Sequence, residues 1–448
     1  MAPVWYGRTV IRSCARLDYA TAQNIIDAKV LKGNDESHID ETNWPTSRRP
    51  TGGHSLTQVA QDVRLMHQVA MARRRLRFDN GALALNGVKL TFQLDPKDGQ
   101  TPLLAAPYPI RDSNRLVEEY MLLANYLVAQ RLITHVHGGR AVLRNHPEPL
   151  EDGLDKVAAV AKAAIGFHID ISSSQALHNS LHLLRQTCED EDNVTDPLIL
   201  QAVTQMLMTP MQPADYFVSG MVASPELWKH FALNIPYYTH FTSPIRRYPD
   251  VLVHRLLQET LDEEASSAEN DDDKEDGKSR YAADMGELNA WCLHSNEKRM
   301  ASKTAQERCD RVFLSLYVRA HPLHGEMGLV LSVGVSSFTV FVPTLGVSTL
   351  LYLEEHKDIL TYTSSVLAAE AAGAANDIDD EDALGQSIMM EQQGQEEART
   401  ITLTNIGTDS EWATLEIDIF VKISVMVYCR DKPPIDVKLR LEGPWTGN

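Results

Sequence analysis

At 448 residues and 43% hydrophobic content the chain is too long for one ordinary core and too apolar for a disordered protein, so two domains with linkers are expected. Its five cysteines (Cys14, Cys188, Cys292, Cys309, Cys429) show no CxxC or metal-ligand spacing, which argues against a disulfide framework and a zinc site and for the reduced thiols of a cytosolic or nuclear protein. The net charge of −19 argues against a basic nucleic-acid binder only until its distribution is read: residues 262–280 carry nine acids against three bases and residues 370–399 nine against one, so 14 of the 19 charges lie in two stretches.

Neither a secretory leader nor a membrane span is expected, since MAPVWYGRTVIRSC lacks a basic-then-apolar start and no run of about eighteen uncharged apolar residues follows. In chain order, apolar residues recur at three and four over residues 55–77, 114–132, 154–165, 174–187, 196–209, 244–261 and 282–319, which predicts seven helices. Short strands are expected near Gly81 to Phe92. Polar loops interrupt this pattern at 34–53 and 262–281, both read as disordered.

After Pro322 the texture changes. GLVLSVGVSSFTVFVPTLGVSTLLYL alternates apolar and polar residues between glycines, as three short strands with tight turns would, and TLEIDIFVKISVMVYC and VKLRL supply closing strands. The fold class is therefore α+β: a mainly helical region, 1–318, followed by a small five-stranded β-barrel of OB-fold type, 322–442, with an acidic, Ala/Gln/Gly-rich insertion near 365–399 expected to be disordered.

The segment NIPYYTHFTSPIRRYPDVLVHRLL, residues 234–257, carries the densest chemistry. Ser243 and Pro244 read as N-cap and first residue of a helix, which puts Arg246 and Arg247 in its first turn. Cations are disfavoured there, so two guanidiniums beside free N–H groups predict a bound phosphate, unless neighbouring carboxylates neutralise them. Pro249 should kink or break the helix after that turn, and Asp250 and His254, four apart, read as a supporting pair.

HFTSPIRRYPDVLVHRLL resembles the signature of the RNB (ribonuclease II) family of 3′-to-5′ exoribonucleases. RTVIRSCARLDYATAQNII (8–26), GAL (81–83), RLVEEYMLLAN (115–125), MQPADYFVSG (211–220) and NEKRMASKTAQERC (296–309) agree with it in order, over about residues 5–350. Their wording most resembles the eukaryotic, cytoplasmic, exosome-independent branch that degrades 3′-uridylated RNA. The resemblance implies hydrolytic release of nucleoside 5′-monophosphates from the 3′ end of single-stranded RNA in mRNA and small-RNA decay, a cytoplasmic location, no membrane and, by default, a monomer.

Carried over residue by residue, the resemblance makes Arg246 the catalytic phosphate clamp and Tyr19 a contact to the terminal nucleotides. It gives Glu118 or Glu119 the strand end, leaving open which. The same residues have plainer readings: the glutamates complement a helix dipole after Asp112, Ser113 and Asn114, and Tyr19 is an ordinary core tyrosine. Arg247, His240 and Arg255 are further candidates for lining the RNA channel. Arg73, Arg74, Arg75 and Arg77 make a basic patch that the dipole at a helix C-terminus explains equally well.

The family's Mg²⁺ is held by aspartates in a run of the form DxxxxxDxDD, because Mg²⁺ needs oxygen ligands in octahedral array. That run belongs upstream of RTVIRSC, where this sequence begins, so no metal ligands are expected in the chain. NDIDDED (376–382) is an unsuitable substitute, lying in the acidic insertion. Three readings follow: part of an active exonuclease or an incomplete gene model, an intact but catalytically inactive RNA-binding relative, or one piece of a split enzyme. A scaffold protein recruiting basic partners through its acidic stretches is the alternative outside this class.

Overall fold

Local signals start the helices where they stand. Asp18 accepts from the Thr21 amide at 2.8 Å and opens α1 (Tyr19–Ile26). A two-strand ribbon, β1 (Leu31–Lys32) with β2 (Asp35–Ile39), leads to α2 (Leu56–Asp79), opened by a reciprocal capping box between Ser55 and Gln58. The hairpin of β3 (Leu90–Leu94) and β4 (Pro102–Pro107) precedes α3 (Asp112–His135) and β5 (Val142–Asn145). There follow α4 (Glu151–Ile165), stopped by Gly166 at φ 66°, then α5 (Ser174–Glu189) and α6 (Pro197–Met208), which has Asp196 as cap and proline at its first position. Strand β6 (Asp215–Val218) pairs antiparallel with β5, and α7 (Tyr248–Ala268) and α8 (Met285–Ala320) complete the helical region. This computed structural model describes residues 4–29, 31–32, 35–39, 44–85, 87–136, 139–189, 196–268, 283–357, 360–364, 400–405, 414–430 and 435–442.

Strands β7 (Leu323–Val333), β8 (Ser337–Val342), β9 (Val347–Tyr352), β13 (Lys422–Cys429) and β14 (Val437–Leu441) form one antiparallel sheet in the order β14-β13-β7-β8-β9. The sheet curls until β14 meets β9, giving a nearly closed, OB-fold-like barrel. Buried His356 bridges that seam: Nδ1 lies 3.0 Å from the Tyr352 carbonyl, and Nε2 accepts from the Leu441 amide at 3.2 Å. The acidic insertion is flanked by a second sheet, β10 (Leu360–Ser364), β11 (Ile401–Asn405) and β12 (Thr414–Ile417), whose Leu360, Ile401, Leu403 and Ile417 share the barrel's core.

α8 joins the two regions. Leu288 and Cys292 sit in a core with α3, β5 and α7, while Leu314 and Val318 sit in the barrel's core. Between them Met300–Cys309 is exposed on every side. A third core packs α4, α5 and α6 against Leu329, Phe341 and Phe420 on the barrel's outer wall, where Lys422 pairs with Asp196.

Several expectations need correction. The signature helix begins at Tyr248, not Pro244: residues 243–246 form a turn closed by the Arg246 amide on the Ser243 carbonyl at 3.2 Å. Pro244 takes the second position of that turn and Pro249 falls in the helix's first turn, where no backbone hydrogen bond is lost, so neither kinks a helix. α7 also runs on to Ala268, into the stretch expected to be disordered from 262; residues 269–282 lie outside the described residues. Of the 34–53 loop, residues 35–39 are strand, and Trp44, 1% exposed, is seated beside Ile25 and Ala60 with its indole N–H on the Arg48 carbonyl at 3.0 Å. The 365–399 insertion, with NDIDDED inside it, lies outside the described residues.

Candidate nucleic-acid interface

The signature segment is held between α3, β5 and α7. The Arg144 amide on β5 donates to the Tyr238 carbonyl at 2.7 Å, and Thr239 Oγ1 donates to the Val142 carbonyl at 2.7 Å, so residues 238–239 run along the edge of β5. From α3, Asn125 donates through Nδ2 to the Tyr238 hydroxyl at 2.8 Å. Its Oδ1 accepts from the amides of Phe241 (2.8 Å) and Thr242 (3.2 Å). Asn125 is 1% exposed and all its bonds in this network go to the segment, so it acts as a pin.

Asp250, fully buried, closes the turn from the other side. Its carboxylate accepts from the Ser243 amide at 2.7 Å and from Arg247 Nε and Nη2, each at 2.8 Å, in a bidentate pair. The expected Asp250–His254 pair is absent: His254 Nε2 meets the Phe241 carbonyl at 2.9 Å and its ring stacks on Phe241 with centroids 4.2 Å apart. Arg247 is thus consumed by its neighbour. Arg246, one residue earlier, is exposed, has Ser243 Oγ at 3.4 Å from Nη2, and meets no carboxylate among the described residues. The turn therefore separates two adjacent guanidiniums, one partly covered and neutralised by Asp250, the other exposed and without a carboxylate among the described residues.

Behind the turn lies a cluster that sequence reasoning missed apart from His240. Arg144 and Tyr216 face each other across the β5–β6 ladder, with the guanidinium 4.9 Å over the phenol ring. Tyr216 Oη and His240 Nδ1 are 2.6 Å apart, and the rings of His146, His230, Tyr238 and His240 follow one another at 5.1–5.5 Å. Burial, helped by nearby cations, pushes His240 down to about 2 and His230 to about 3, so both imidazoles are neutral. Burial also raises the Tyr216 and Tyr238 phenols. The one sequence signal for this cluster was Tyr238 and His240 standing two apart in YYTH beside the arginines.

The structure also separates the two glutamates. Glu119 is 1% exposed and locked to Arg77 at 2.6 Å, whereas the Glu118 side chain is half exposed and only 3.5 Å from Arg74 and Arg77. Arg74 and Arg77 also lie over the Phe78 ring, so half of the basic patch is a structural clamp between α2 and α3. Tyr19 opens α1, 42% exposed; its carbonyl accepts from Ser113 Oγ at 2.8 Å, tying α1 to the helix that carries Glu118. Arg255 is exposed on α7.

The donors needed for Mg²⁺ are not assembled here. Among the described residues no group of three His, Cys, Asp or Glu side chains is placed to hold a metal, and Asp250, the buried acid at the turn, has both oxygens engaged.

Comparison with known proteins places this geometry. A family profile described as RNB domain matches residues 1–263, and the chain belongs to the RNB family of exoribonucleases. Among curated relatives, DIS3-like exonuclease 2 of Xenopus tropicalis is 37% identical over 349 residues, 78% of this chain and 38% of that protein. A protein of Arabidopsis thaliana named inactive exonuclease DIS3L2 is 30% identical over 383 residues, 78% of this chain and 34% of its own length. The chain thus spans little more than a third of such relatives. Among solved structures, Mycoplasma genitalium RNase R in complex with ribose-methylated single-stranded RNA superposes with a TM-score of 0.57 at 15% identity, covering 95% of this chain and 53% of that one. Yeast Ssd1, described as a pseudonuclease, gives 0.55 at 18% identity, covering 85% and 50%. These two show the shared fold. No helix among the described residues is long and apolar enough to cross a membrane.

Proposed function

We propose that this chain grips the 3′ end of single-stranded RNA as part of a cytoplasmic 3′-to-5′ exoribonuclease that releases nucleoside 5′-monophosphates. The observation that carries this reading is the division of labour at the turn: Asp250 neutralises Arg247 and leaves Arg246 exposed and unpaired among the described residues. A planar guanidinium of this kind suits a phosphate of the strand end. Glu118, the half-exposed member of its pair, is the carboxylate free to meet terminal ribose hydroxyls, with Tyr19 nearby in the fold through α1 and α3. Family members use Mg²⁺, for which the described residues supply no set of ligands; what they do is bind and orient the strand.

A second reading, an RNA-binding relative without hydrolysis, has the same observation in its favour and shares every binding residue. One experiment addresses both. Titration of 5′-fluorescein-labelled U12 with the chain should give salt-sensitive anisotropy, and incubation with Mg²⁺ or Mn²⁺ should release no nucleoside monophosphate. Arg246→Lys keeps the charge but loses the fork, and should weaken binding about tenfold or more, the equivalent of a charge-assisted bond of about 1.5–3 kcal/mol. Absence of any salt-sensitive binding would remove the RNA reading and favour a scaffold, while trimming by the pure chain would show that metal ligands exist elsewhere in it.

A further inference from the structure

His240 Nδ1 lies 2.6 Å from the Tyr216 hydroxyl. The phenol hydrogen has no other acceptor among the described residues, and a phenol is a far better acid than a neutral imidazole N–H. Tyr216 is therefore the donor and Nδ1 the acceptor. A neutral imidazole carries one proton, so it must sit on Nε2. That nitrogen has no protein partner among the described residues and, unlike Nδ1 of His230, is not sealed from solvent. The chain has built a hydrogen-bond donor of fixed tautomer and left it unused.

We infer that His240 is a further RNA-contacting residue, its Nε2–H donating to an oxygen of the strand held by Arg246, with Tyr216 as the positioning residue that fixes the tautomer. This rests on the RNA reading of the turn. Several groups face the ring: Arg144 from β5, Tyr216 from β6, His230 just ahead of the signature segment and Tyr238 within it, and Arg246 and Arg247 from the turn. The nearby acid on α7, Asp250, is spent on Arg247 and Ser243. Burial among these cations keeps the imidazole uncharged through the physiological range, its ionisation pushed down to about 2. A neutral donor differs from a guanidinium in a measurable way. It adds affinity and direction but displaces no counterion, so its loss should leave the salt dependence of binding intact.

The test combines spectroscopy on the free chain with binding. In the chain labelled with ¹⁵N-histidine, the His240 ring, assigned by its loss in His240→Phe, should show the Nε2–H tautomer without titrating between pH 5 and 8. In Tyr216→Phe the signal should become a tautomer mixture. For 5′-fluorescein-labelled U12, His240→Phe should raise Kd about tenfold at unchanged slope of log Kd against log salt, whereas Arg246→Ala should change that slope by about 0.7. A His240 proton on Nδ1, or binding by His240→Phe within twofold of the parent while Arg246→Ala weakens it, overturns the inference and leaves the turn's RNA role standing. If Arg246→Ala has no effect either, the RNA reading itself falls. Should His240→Phe not fold, the ring is assigned instead by the signal that turns into a tautomer mixture in Tyr216→Phe, and the parent's Nε2 resonance decides: it should move on addition of U12, and a resonance that stays fixed refutes the contact.

Discussion

Behind the signature turn a carboxylate, two guanidiniums, three imidazoles and a carboxamide share the interior, whereas the barrel is filled with Val, Ile, Leu and Phe338 around one buried imidazole, His356. The first interior fixes one conformation of one loop, because Asn125, Arg247 and Asp250 find their partners only when that loop is in place. The second gains stability in proportion to the apolar surface it removes from water. Loss of a single partner should therefore damage the first abruptly and the second by degrees.

The largest effect is expected at Asp250. Asp250→Ala strands the Arg247 guanidinium and the Ser243 amide, and should cost about 3–5 kcal/mol in urea denaturation. Removing both charges, as Arg247→Met with Asp250→Leu, should cost clearly less than the single change; equal losses would mean that the pair is not what holds the turn. In the barrel, Phe338→Ala should cost a similar ~3–5 kcal/mol, but Ile423→Val only about 0.5–1.5, a gradation with no counterpart at the turn.

Acid should find the polar interior next. His240 and His230 ionise at about 2 and 3 when folded, below an unfolded histidine near 6.5, so the unfolded chain binds more protons across that interval. Stability should fall as pH drops below about 6.5, by up to ~1.4 kcal/mol per unit for each ring. Thermal melts from pH 7.5 to 5 should show the decline, and His230→Phe should flatten it; an unchanged slope would assign the loss elsewhere. The smallest effect belongs to Arg246→Lys, which should shift stability by no more than about 0.5 kcal/mol, as an exposed side chain supporting nothing behind it.

How much of this was legible in the sequence follows from the same contrast. The barrel's strands could be read because alternation reports directly on which face is buried, and strands such as β13 alternate strictly. Of the three-stranded sheet beside the insertion, β12 was legible as TLEI but was assigned to the barrel's closing strands, and β10 and β11 were missed, since short strands separated by a long polar stretch give no pattern that joins them. At the turn the right residue types were visible but their partners were not. Pro244 reads as a helix start and Pro249 as a break, and it is the carboxylate of Asp250 reaching back to Ser243 that moves the start to the second proline. Spacing likewise could not tell Glu118 from Glu119, because the choice depends on which of two neighbouring side chains points at Arg77 from another helix. Asn125, Arg144 and Tyr216 went unnoticed because each acts through residues distant in the chain.

The bare middle of α8 has a consequence for how the two regions are spaced. Cys292 is seated in one core and Leu314 in the other, and the 22 helical steps from one to the other, at a rise of 1.5 Å, set the distance at about 33 Å. The helix is a ruler, and its graduations are residues. Met300–Cys309 is exposed, so a change of length there would be felt at the barrel's other seat, on α4, α5 and α6: one extra residue would rotate the barrel by about 100° about the axis, whereas four would advance it about 6 Å and nearly restore its face. Reach and orientation in this protein are thus set twice, by a count of amino acids along α8 and by the third core that seats α4, α5 and α6 on the barrel wall.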